Sequence, residues 1–261
     1  MAVVGPALNR AILHWLARRA VGTLLGWAPS PDEVADVAAE CQHCAHPLEI
    51  RLAGPVALLP SVVVAGRCLT CRVPRPRWFA VVEVATGALY GLAAFSLGWS
   101  PELPAVLVLL AGLVAVSAVD LVCLRIPTTF VHVAGGVTLV AVGLAAVVAG
   151  PAEALVGAAI GGGLYAGFLG IFYLVSPAML GLGDVRLAAL IGTVVGWLAW
   201  TPDRQVEGPL AGVLAAAIVA GLVGTLAGTA LLVVRRQNRP FPFGPAMAVG
   251  AIVAILTVPG V

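Results

Sequence analysis

Long apolar runs dictate what this chain can become. Trp78 to about Leu97, Leu103–Val119, Phe130–Val148, Leu155–Val175, Val185–Trp200, Leu210–Val234 and Phe243–Val258 follow one another with short polar joints. An arginine-bearing run from Val3 to about Leu25 precedes them. About twenty apolar residues in helical form cross the hydrocarbon of a bilayer. Lipid offers no partner to a free N–H or C=O, so each run must pair its backbone internally, as a helix does. The expected fold class is an all-α membrane protein, a polytopic bundle of about eight transmembrane helices. Short loops make neighbouring helices antiparallel and the bundle compact.

Composition agrees, with 61% hydrophobic and 10% charged residues against roughly 25% charged in a soluble domain. The 31 glycines and 19 prolines suit helices that pack closely and break locally. No stretch alternates basic and aromatic residues, which excludes a nucleic-acid partner and leaves the lipid bilayer as the surroundings. Arg10, His14, Arg18 and Arg19 interrupt the start, which does not read as a cleavable signal peptide. Residues 1–27 form the first span, 28–77 one large polar loop, and 78–261 a seven-helix membrane core.

All 14 basic residues are arginine. If the 28–77 loop is cytoplasmic, loops on that side carry Arg51, Arg67, Arg72, Arg75, Arg77, Arg125, Arg186, Arg235, Arg236 and Arg239, while the opposite loops carry Arg204 alone. The positive-inside rule orients the chain accordingly, with both termini outside. Asp120 then ends the third span and Asp184 opens the sixth, both at the cytoplasmic edge.

An ionisable residue at a membrane-helix end is costly, and it marks a functional site or a helix cap. Asp184 sits in Gly181-Leu182-Gly183-Asp184-Val185-Arg186-Leu187, where the glycines leave room for another backbone to approach the carboxylate. Asp120 is followed by Arg125, Ile126 and Pro127, and Pro127 would stop one helix or start the next. Two converging aspartates suit acid–base hydrolysis of a peptide bond. They would share a proton and titrate in two steps. An ion or proton pathway uses intramembrane carboxylates too. Glu83, a turn inside the second span, would snorkel, bond Thr86 or a neighbouring helix, or serve beside the aspartates.

Cys41-x-x-Cys44 and Cys68-x-x-Cys71, with 23 residues between the pairs, can present four thiolates to one zinc ion on a small ribbon. A closed tetracysteine site has no open position, so this zinc would be structural. His43 and His46 are then bystanders.

Together these motifs resemble the type IV prepilin peptidases, intramembrane aspartyl proteases of the Gly-x-Gly-Asp kind. Asp120 with Ile126-Pro127 resembles the first aspartate motif, and Gly181-Leu-Gly183-Asp184 the second. The cysteine pairs resemble the family's zinc-binding cytoplasmic loop, and Trp78 to Gly87, with Glu83, resembles the span after it. Phe241-Pro-Phe-Gly244-Pro245 resembles the opening of the last span, and Gly5-Pro-Ala-Leu-Asn9 the end of the first. The first span is therefore expected to be reduced, or the start late. Arg186 stands where lysine is usual, and Thr128 where asparagine or aspartate is common.

The resemblance implies a multi-pass enzyme of the bacterial cytoplasmic (inner) membrane that cleaves the leader of prepilins or pseudopilins of type IV pilus and type II secretion systems. Asp120 and Asp184 would be the catalytic pair, on the cytoplasmic side. It also implies methylation of the new N-terminus with S-adenosylmethionine in members that keep the cysteine loop. Two other readings stay open. A proton-coupled transporter predicts carboxylates near the midplane and repeated halves. A catalytically inactive adaptor would use the zinc loop to hold a secretion partner.

Overall fold

The computed structural model describes residues 78–123, 128–148, 152–177, 180–235 and 242–257. The expected first span and the loop with Cys41, Cys44, Cys68 and Cys71 lie outside the described residues, as do Arg125, Ile126 and Pro127. The chain divides into two compact units, Met1–Tyr90 and Gly91–Val261.

Among the described residues every regular element is helical: α1 (Trp78–Leu97), α2 (Leu103–Cys123), α3 (Thr128–Val148), α4 (Ala154–Val175), α5 (Leu182–Leu198), α6 (Glu207–Arg235) and α7 (Gly244–Thr257). A single 3-10 turn, Pro202–Arg204, precedes α6. The helices match the seven apolar runs, with ends shifted by a few residues. Gly98, with φ of 62°, ends α1 in the left-handed conformation that favours glycine.

Among the described residues four helices are long and apolar enough to cross a membrane: Leu103–Leu121, Val131–Val148, Ala154–Val175 and Glu207–Val233. At 1.5 Å per residue, the 21 residues of α2 reach about 30 Å, the thickness of a hydrocarbon core. Val133, Val137, Val140 and Leu144 on α3, and Leu214, Ile218, Leu222 and Leu226 on α6, are exposed. Such a display suits lipid as solvent, since soluble proteins rarely leave apolar patches of that extent in water.

In the Gly91–Val261 unit, α5 is the inner helix. It packs against α4 above all, and also against α6, α7, α3 and α2. Leu187, Ala188, Ile191, Val194 and Val195 are all but fully buried on it. Its 17 residues reach only about 25 Å, and it is covered by protein where the longer helices face lipid.

Glycines set the distance between α4 and α5. A Cβ on Gly161 would run into the Gly192 carbonyl oxygen and lie 2.7 Å from Gly196 Cα. A Cβ on Gly196 would meet the Gly157 carbonyl oxygen and lie 2.8 Å from Gly161 Cα. Two Gly-x-x-x-Gly pairs, Gly157/Gly161 and Gly192/Gly196, thus bring backbone against backbone. On the other side of α5, Gly212 of α6 leaves room for Val195.

Helix α7 is pinned to α6 in the same way. Gly250 leaves space for the Ala216 carbonyl and Ala220, and the Phe243 ring lies against the bare backbone of Gly224. Phe243 thereby packs α7 onto α6. Phe241 lies outside the described residues.

Candidate active site

Asp120 lies one turn before the end of α2 and is 4% exposed. It is the one buried charged residue among the described residues. A buried carboxylate needs hydrogen-bond donors, and α2 cannot supply one, because its own N–H groups are committed to the helix. The donor comes from another helix. The Gly244 N–H, at the start of α7, donates to Asp120 Oδ2 at 2.8 Å across 124 residues of sequence.

Why α7 can do this follows from its first turn. Helix N-termini leave N–H groups without intrahelical partners and carry partial positive charge. The Met247 N–H donates to the Phe243 carbonyl, so the helix begins with Gly244. Pro245 brings no N–H to that turn. The Gly244 N–H is thus available to a carboxylate from outside. A Cβ at Gly244 would sit 2.9 Å from Asp120 Oδ2 and 3.4 Å from its Cβ and Cγ. Only glycine lets the carboxylate approach this closely without a shift.

Asp184 is held locally. It is in the first turn of α5, three residues after Gly181, whose extended backbone precedes the helix. The Gly181 N–H donates to Asp184 Oδ2 at 2.9 Å, and the Asp184 N–H donates to the Gly181 carbonyl at 3.0 Å. The carboxylate therefore caps its own helix. Gly181 makes room for this contact, since a Cβ there would lie 3.1 Å from Asp184 Oδ2. The expected approach of another backbone is not what this glycine accommodates; its space is taken by Asp184 itself. Gly183 lies between them, half-buried.

The two aspartates share one end of the bundle. The C-terminal end of α2 meets the N-terminal end of α7 through the Asp120 bond, and α5 contacts both helices. Asp120 near the end of α2 and Asp184 in the first turn of α5 thus stand on helices that pack against each other and against α7. Each uses Oδ2 for a backbone N–H, and among the described residues neither Oδ1 has a hydrogen-bond partner. Each pair member thus has one oxygen anchored by a backbone N–H.

The remaining motif residues fall as follows. Arg186 is on α5, half-buried, two residues beyond Asp184. Glu83 is in α1, and its side chain lies outside what the structure describes. The Thr86 hydroxyl donates to the Val82 carbonyl at 2.7 Å, so its one proton is spent on its own helix. Gly244 as the partner of Asp120 was not anticipated. The signal was present in Phe243-Gly244-Pro245, since a glycine ahead of a proline at a helix start leaves a bare, unpaired N–H.

Membrane-length apolar helices that carry two carboxylates at the ends of packed helices define a polytopic membrane protein with an acidic pair. Comparison with known proteins narrows that class. The sequence model of the bacterial peptidase A24 N-terminal domain matches residues 3–97. A prepilin leader peptidase/N-methyltransferase of Burkholderia pseudomallei (strain 1026b) is 31% identical over 271 residues, covering 95% of this chain and 80% of the relative. One from Stutzerimonas stutzeri is 29% identical over 226 residues, covering 83% and 70%. The type 4 prepilin-like proteins leader peptide-processing enzyme of Escherichia coli O78:H11 is 27% identical over 263 residues, covering 97% and 90%. No solved structure matches the chain. The chain belongs to the prepilin leader peptidase/N-methyltransferase family.

Proposed function

We propose that this protein is an intramembrane aspartyl endopeptidase that removes the leader of type IV prepilins or pseudopilins at the cytoplasmic face of the membrane. The observation that carries this reading is the placement of buried Asp120 and of Asp184 at the ends of helices that pack together. The names of the relatives support the substrate class.

Asp120 and Asp184 form the catalytic pair. One, ionised, takes a proton from water as the water oxygen bonds to the scissile carbonyl carbon. The other, protonated, hydrogen-bonds the carbonyl oxygen. The tetrahedral intermediate then collapses with cleavage of the C–N bond, and the proton passes to the leaving amine. Two carboxylates that act on one scissile carbonyl resist joint ionisation, so a singly protonated pair is the working state of this mechanism. Placement at the end of the bundle suits a substrate whose apolar helix lies in the bilayer and whose leader emerges at the interface. A proton-coupled transporter is less favoured, because the carboxylates stand at helix ends and not near the middle of spans.

The arginine asymmetry supports an eight-span topology with the 28–77 loop and the aspartates in the cytoplasm, and the inner membrane as the location. Four thiolates from Cys41, Cys44, Cys68 and Cys71 fit a structural zinc ion by donor type and spacing. The zinc would brace the loop and take no part in hydrolysis. The relatives' names also carry N-methyltransferase, and methylation of the new N-terminus with S-adenosylmethionine is the second activity to test.

The test is co-expression with prepilins from the same genome, with the pilin N-terminus read by mass spectrometry. Wild type removes the leader, whereas Asp120→Asn and Asp184→Asn do not. Because catalytic groups acting as a unit lose most activity when either is removed, equal cleavage by all three would refute the assignment. A further gain of about 14 Da on the cleaved pilin marks a methyl group replacing one hydrogen, and its absence removes the second activity.

A further inference from the structure

The two aspartates are anchored by different means. Asp184 takes its N–H from Gly181, three residues away on the same turn. Asp120 takes its N–H from α7, 124 residues along the chain, at a position where any side chain would crowd the carboxylate. The start of α7 is itself fixed, by Phe243 against Gly224 and by Gly250 against Ala216 and Ala220. The orientation of Asp120 therefore depends on a helix that follows every other element of the site.

We infer that Gly244 is a positioning residue for the hydrolytic reaction: its N–H anchors one oxygen of Asp120 and, by lacking a Cβ, allows the carboxylate to sit at the start of α7. This rests on the aspartyl-peptidase reading above. The bond to Oδ2 fixes the rotation of the carboxylate and with it the direction of Oδ1. Without the anchor, the carboxylate can rotate about its two side-chain torsions, and the fraction in working geometry falls. Substrate binding does not use this bond, so the loss belongs in kcat and not in KM.

The experiment measures kcat, KM and thermal midpoint for purified full-length enzyme in lipid nanodiscs, with a purified prepilin as substrate. Four proteins are compared: wild type, Gly244→Ala, Asp120→Asn, and Gly212→Ala. The last crowds Val195 in the core and reports the cost of overpacking at a site away from Asp120. Hydrogen bonds to charged groups are strong enough that Gly244→Ala should lose roughly ten- to a hundredfold in kcat, with KM within about twofold of wild type. Its kcat should also fall below that of Gly212→Ala by about tenfold or more. The inference is overturned if Asp120→Asn is inactive while Gly244→Ala keeps wild-type kcat, or loses no more than Gly212→Ala. It is equally overturned if Gly244→Ala raises KM alone or does not fold, since the glycine would then serve binding or helix docking. Cleavage by Asp120→Asn would instead overturn the peptidase reading itself.

Discussion

Substitution of Gly161 by alanine tests whether helix packing sets the geometry of the acidic pair. A Cβ at this position meets the Gly192 carbonyl oxygen and lies 2.7 Å from Gly196 Cα and 3.0 Å from Gly196 N. All three contacts are with backbone, so no side-chain rotation relieves them. Carbon atoms rest at about 3.5–4.0 Å, so α4 and α5 must part by about 1 Å. Such overpacking costs about 1–3 kcal/mol. The better helix propensity of alanine offsets about 1 kcal/mol of that at most. Gly163, two residues on, supplies the control, because a Cβ there meets nothing within 4 Å. Comparing Gly161→Ala with Gly163→Ala cancels the propensity gain and isolates the packing. Since α5 carries Asp184 while α2 carries Asp120, a displacement of about 1 Å should lower cleavage by as much as about a hundredfold. Stability is read by denaturant titration in mixed micelles, and activity by leader removal from a purified prepilin. Gly163→Ala should match or slightly exceed wild type in both. If Gly161→Ala equals Gly163→Ala in stability and rate, the glycine contact neither limits packing nor positions Asp184, and the reasoning fails.

Two further expectations concern other parts of the chain. Gly98→Ala forces a Cβ onto a residue with φ of 62°. It should destabilise by about 1 kcal/mol with cleavage unchanged, and a stability equal to wild type would show that the turn relaxes freely. Purified protein should hold about one zinc per chain by elemental analysis, lost in Cys68→Ser together with thermal stability. Zinc-free wild type of full stability would remove the metal from the fold.

How far the sequence announces this arrangement depends on the range of the interaction concerned. Helix identity is local, since an unbroken apolar run must satisfy its backbone within itself, and the runs from Trp78 to Val258 accordingly became α1 to α7. The membrane-end placement of Asp120 and Asp184 follows from counting the same runs. The use made of Gly181 was less legible. Glycine beside an aspartate says only that space is left, and the carboxylate of Asp184 folded back into that space because the unpaired Gly181 N–H was the nearest donor. The pairing of Gly157 and Gly161 with Gly192 and Gly196 shows the same limit, because four-residue spacing identifies two faces able to approach and does not say which faces meet. Gly244 is the furthest case. Its free N–H was implied by a proline in the first turn, yet its acceptor lies on α2, and the packing of α7 against α2 brings the two together. The chemistry-bearing side chains of this site are therefore conspicuous in sequence, while the distant backbone group that orients Asp120 emerges only from tertiary packing. Substitutions at such glycines should impair the reaction while leaving both aspartates and every apolar run in place.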